Sequence, residues 1–117
     1  MEIKILKDQQ ITRDELKEMA GRIYGNLVKA VIDVEREIMA IGGEFHADEE
    51  VLLMEQEGSK REFTWGINLY PEKVGDEFVE FDSVINLKPS FGNRLRGVEN
   101  PATREKIREI VAKFVRE

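Results

Sequence analysis

The stretch Phe63-Thr64-Trp65-Gly66-Ile67-Asn68-Leu69-Tyr70 decides the fold. Phe63, Trp65, Ile67 and Leu69 take every second position, and Thr64, Gly66, Asn68 and Tyr70 fall between them. Successive side chains of an extended chain point to opposite faces, so the alternation predicts a strand with one buried and one wet face. Val79 to Lys88 reads the same way, with Val79, Phe81, Ile85 and Leu87 set against Glu80, Asp82, Asn86 and Lys88. The loop Pro71 to Glu77 joins the two most simply as antiparallel neighbours. Each ends in a similar phrase, Ile67-Asn68-Leu69-Tyr70-Pro71 and Ile85-Asn86-Leu87-Lys88-Pro89, where proline stops ladder hydrogen bonding.

Working outward, Val28–Val34 and Ile38–Phe45 read as a hairpin turning near Glu35-Arg36, and Glu2–Leu6 as a first short strand. Val51-Leu52-Leu53-Met54 is a short apolar run followed by the turn residues Gly58-Ser59. As a helix it would be apolar nearly all round. Its length favours a strand covered on both faces. A helix is signed near each end. Thr12 and Glu15 make a capping box, Ile11 and Leu16 a hydrophobic staple, and Leu16, Met19, Ala20 and Ile23 an apolar stripe that stops at Gly25-Asn26. Asn100 caps the second helix with Pro101 in its first turn, and Ile107, Ile110, Val111, Phe114 and Val115 form one face. The predicted architecture is a single α+β domain over residues 1–117. It is an antiparallel β-meander with the N-terminal and C-terminal helices packed on one face.

Composition narrows the chemistry. The 117 residues hold no cysteine and one histidine, which removes disulfides, thiolate metal sites, thiol nucleophiles and any site needing two imidazoles from one chain. The net charge of -6 is unevenly spread. Residues 30–82 carry four basic and fifteen acidic side chains, whereas residues 83–117 carry eight basic and four acidic. An acidic middle is a poor platform for a phosphate backbone, so nucleic acid is disfavoured as a partner. No apolar run is long enough to span a bilayer and the opening residues do not read as a signal peptide, so the expected location is the cytoplasm, without a membrane partner. The abundance of glutamate over glutamine resembles thermophile composition.

Three groups of residues could carry function. His46 and Asp48, two apart on an extended chain, lie on one side and could share a proton or an ion, with His46 as a general base. The loop Lys88 to Gly97 offers Asn93, with Gly92, for an anion-binding turn, and Arg94 and Arg96 as planar forks for phosphate or carboxylate. It does not match a P-loop. On the wet strand face, Asn68, Tyr70 and Asn86 could read a polar ligand; asparagine is disfavoured in strands and calls for a reason. Each group has a plainer reading, as a surface histidine, as arginines paired with the acidic middle, and as solvated strand residues.

Ala40-Ile41-Gly42-Gly43-Glu44-Phe45-His46-Ala47-Asp48, Trp65-Gly66-Ile67-Asn68-Leu69-Tyr70-Pro71 and Pro89-Ser90-Phe91-Gly92-Asn93-Arg94 together resemble a domain-of-unknown-function family of short bacterial and archaeal proteins. The resemblance implies a single-domain soluble protein of about this size. It brings no activity, cofactor or assigned residue. The residues themselves support a small module binding an anionic molecule or a peptide carboxylate. The alternatives are a metal-assisted or acid–base enzyme acting on a phosphoester, and a homo-oligomeric subunit.

Overall fold

The computed structural model describes residues 2–117. In chain order these form β1 (Lys4–Leu6), β2 (Ile11–Thr12), α1 (Arg13–Ile23), β3 (Val28–Asp33), β4 (Ile38–Gly43), α2 (His46–Glu57), β5 (Thr64–Leu69), β6 (Val79–Glu80), α3 (Pro101–Phe114) and β7 (Val115–Arg116). Short 3-10 turns stand at Val84–Asn86 and Pro89–Phe91.

Five strands make one sheet in the order β1-β4-β3-β5-β6, antiparallel throughout. β4 and β5 flank β3 and so run parallel to each other. α2 therefore carries the chain across β3, a split β-α-β crossover. A separate parallel pair, β2 with β7, ties the entry of α1 to the exit of α3.

Strand alternation sorts the apolar residues onto two faces. Ala30, Ile32, Met39, Ile41, Trp65 and Ile67 share one core with Leu16, Met19 and Ala20 of α1 and with Ile107, Ile110, Val111 and Phe114 of α3. Val31, Ile38 and Ala40 point the other way and meet Leu53 of α2 and Ile85. The sheet is thus covered on both sides. This corrects the expectation of a wet face: Thr64, Gly66 and Asn68 are all buried.

The helix-end signals are realised. Thr12 and Glu15 close the reciprocal capping box on α1, with Thr12 N–H to Glu15 at 2.9 Å and Glu15 N–H to the Thr12 hydroxyl at 3.0 Å. Asn100 caps α3 through the N–H groups of Ala102 and Thr103. The hairpin turn is held by Asp33, which accepts from the amides of Glu35 and Arg36 at 2.9 and 3.0 Å.

Two elements differ from expectation. Val51 to Met54 lies inside α2, not in a strand. Its inner face consists of His46, Glu49, Glu50 and Leu53, so most of what it buries is polar and the apolar stripe that signals a helix is missing. The expected second long strand shrinks to β6, and beyond it the chain turns at Val84–Asn86. The order of elements is accordingly not the simple meander read from the sequence.

Candidate functional site

One row of residues crosses four strands at the entrance of α2. Gly43 of β4 lies opposite Lys29 of β3, Lys29 opposite Asn68 of β5, and Asn68 opposite Glu80 of β6. The first turn of α2 stands over this row. Gly43 permits that approach, because a Cβ there would come 2.9 Å from the Glu49 Cγ.

His46 opens α2 and is buried, with a ring nitrogen, Nε2, 2.7 Å from the Ile67 carbonyl oxygen. A carbonyl only accepts, so Nε2 carries the hydrogen and Nδ1 keeps its lone pair. Burial pushes the imidazole down to about 4, with Lys29 adding to the effect, and the ring is neutral at physiological pH. Asp48 is exposed on the outer side of the helix. Residues two apart on a helix lie about 200° apart, so the proposed pairing with His46 does not form.

Glu49 is fully buried. Its Oε2 accepts from the Gly43 amide at 2.9 Å, while Oε1 has no partner. Burial raises its pKa well above the ordinary carboxylate range. Asn68 donates through Nδ2 to Glu80 at 2.8 Å and to the Asp82 carbonyl at 3.3 Å, and its Oδ1 is buried without a donor. The Tyr70 hydroxyl donates to the same Glu80 oxygen at 3.0 Å. Arg96 closes the rim through Nε to Asp82 at 2.7 Å. His46, Asn68, Tyr70 and Arg96 therefore gather in one region. Lys29, which the sequence reading missed, stands among them. Its ammonium lies 5.2 Å from the Tyr24 ring centre. Among the ion pairs of described residues none involves Lys29 or Arg94.

Asn86 and Asn93 sit elsewhere and are spoken for. Asn86 replaces a missing strand on the free edge of β5. Its Oδ1 accepts from the Gly66 amide at 2.8 Å, and its Nδ2 donates to the Gly66 and Arg96 carbonyls at 3.0 and 2.8 Å. Gly66 is required for the approach, since a Cβ would fall 2.5 Å from the Ser83 Cβ. Asn93 donates to the carbonyls of Asn86, Leu95 and Gly97 and accepts from the Glu99 amide. Its loop is wrapped around its own amide, which leaves nothing for an anion. Arg94 projects from this loop, exposed.

A second buried polar cluster lies further along the α2 side. The Lys88 ammonium donates to the carbonyls of Arg61 and Thr64 and stands 3.8 Å from the Trp65 ring centre. Burial pushes it down to about 8, against the pull of Glu50. Glu50 accepts from the Thr64 hydroxyl at 2.6 Å and pairs with Arg61 at 3.2 Å. Every charged group here has partners, as a structural strut requires. Among the described residues no three His, Cys, Asp or Glu side chains gather closely enough to hold a metal ion. No helix among them is long and apolar enough to cross a membrane.

These features define a small α+β domain, a five-stranded antiparallel sheet crossed by a split β-α-β helix, with a polar row beneath the start of that helix. The chain belongs to the family described as "Protein of unknown function (DUF5674)", whose model matches residues 4–114. No curated protein and no solved structure matches it.

Proposed function

We propose that the protein is a small binding module for a carboxylate-bearing ligand, such as a peptide carboxyl terminus, seated at the entrance of α2 over Lys29 and Asn68. One observation carries this reading. Among the described residues, a cross-strand pair holds both a lysine without an ion-pair partner and a buried amide oxygen without a donor. Buried polar groups are normally satisfied, so the Asn68 oxygen calls for a partner. The α2 N-terminus adds to the attraction. Its cap residue, Phe45, supplies no side-chain acceptor, and the first-turn amides favour negative charge. A peptide carboxyl terminus fits both needs: its carboxylate would face Lys29 and those amides, and its last N–H would reach the buried Asn68 Oδ1 once the Tyr70–Glu80 and Arg96–Asp82 contacts part. Tyr70 and Arg96 form the rim. The acid–base enzyme reading has less support, since Asp48 is turned away and an imidazole near 4 is a weak base at neutral pH.

The test is a titration of 1H–15N spectra with acetate, inorganic phosphate and N-acetylglycine at millimolar concentrations. N-acetylglycine should perturb the amides of His46, Ala47 and Asn68 more strongly than acetate does, and Lys29→Met should abolish the response. Silence toward all three compounds, or an undiminished response in Lys29→Met, would sink the proposal.

A further inference from the structure

We infer that the outer seam between α2 and the segment 84–97 is a self-association surface, and that its occupant is the same seam of a second copy of this chain. Along the helix, Val51 and Met54 are 49% and 42% exposed; beside it Val84 and Leu87 are 58% and 39% exposed. The two flanks are neighbours. Glu50, on the adjoining helical turn, pairs with Arg61, and Arg61 donates to the Leu87 carbonyl at 3.1 Å. Large apolar side chains left exposed along one seam mark an interaction site more often than single scattered ones do.

Charge selects the partner. The helix His46–Glu57 carries five acidic residues and no Lys or Arg, whereas 84–97 carries three basic residues and no Asp or Glu. At the outer surface, with Glu57 paired to Lys7 and Arg96 to Asp82, this leaves Asp48 and Glu55, each one helical turn from Val51, on the acidic flank, and Arg94, in no ion pair among the described residues, on the basic one. A two-fold axis running along the seam lays the helix of each copy over segment 84–97 of the other. It thereby covers the apolar strip with its like and sets Glu55 near Arg94 twice. A surface complementary to itself is what an isologous dimer needs. The basic flank is also rigid, because the buried Asn93 amide fixes the loop that presents Arg94. Little ordering is then lost on association.

Sedimentation velocity of the full chain, at concentrations from the micromolar range upward, reads the outcome. The wild type should dimerise. Val51→Glu should weaken the dimer by about tenfold or more. Val74→Glu, on an exposed loop residue away from the seam, should not. Arg94→Glu should weaken the dimer, and adding Glu55→Arg should restore it. Circular dichroism checks that each variant is folded. A wild type that stays monomeric throughout, or a folded Val51→Glu that dimerises as the wild type does, overturns the inference. Failure of the double charge swap to restore association overturns the assigned two-fold arrangement.

Discussion

The two faces of the central sheet are built on different principles. Under α1 and α3 the contacts are apolar and shape-filling, from Leu16 and Met19 to Ile107 and Phe114. Under α2 the apolar cluster is small, and buried polar groups do much of the joining: His46 to Ile67, Glu49 to Gly43, Glu50 to Thr64, Asn86 to Gly66 and Lys88 to two carbonyls. An apolar face tolerates exchange of one hydrocarbon for another. A polar face depends on each partner, because a buried group that loses its hydrogen bond keeps its full desolvation cost.

Volume-conserving substitutions measure that difference most directly. Asn86→Leu strands the Gly66 amide, the Gly66 carbonyl and the Arg96 carbonyl, and should cost about 3 kcal/mol or more. Ile107→Leu on the opposite side should cost less than about 1.5 kcal/mol. Urea unfolding compares them, and equal costs would remove the contrast.

The next largest effect is titration of His46. Its folded pKa of about 4 lies below the ordinary 6.5, so between those values the unfolded chain binds a proton that the folded chain refuses. Its contribution to stability is complete above about pH 6.5 and is lost as the pH falls toward 4, by up to about 3 kcal/mol. His46→Gln should flatten the stability profile across that window, and an unchanged slope would refute the assignment.

Glu49 should act with the opposite sign. Its pKa is raised by burial, so the folded chain holds a proton that the unfolded chain gives up above about 4.5. Its contribution is complete at low pH and is lost as the pH rises. Glu49→Gln should reduce the decline in stability on the alkaline side, measured by thermal unfolding from pH 5 to 9. A decline as steep as in the wild type would place that proton elsewhere.

The gathering of His46, Asn68, Tyr70 and Arg96 was only partly legible in advance. The alternation of Thr64 to Tyr70 put Asn68 and Tyr70 on the correct side of a strand, and the asparagines drew attention by being misfits there. The two asparagines look alike in sequence and differ in place. Asn68 belongs to the polar row, whereas Asn86 sits past the end of β6 and imitates a strand backbone. Lys29 gave a faint signal, the one charge inside the otherwise apolar run Val28–Ile32. Glu49 and Glu50 gave none, since acidic runs are usually solvated.

Local rules settled what depends on neighbours in sequence. The capping box at Thr12 and Glu15, the Asn100 cap, the hairpin turn at Asp33 and the inward set Trp65, Ile67 and Leu69 each follow from a few adjacent residues whose backbone preferences agree. The helical state of Val51–Met54, the order β1-β4-β3-β5-β6 and the burial of His46 were decided by tertiary structure alone. The reason is physical. α2 buries mainly polar side chains, whose burial is tolerable only because Gly43, Thr64 and Ile67 wait opposite with matching donors and acceptors. Those partners lie up to about twenty residues away in sequence, beyond the reach of any local periodicity.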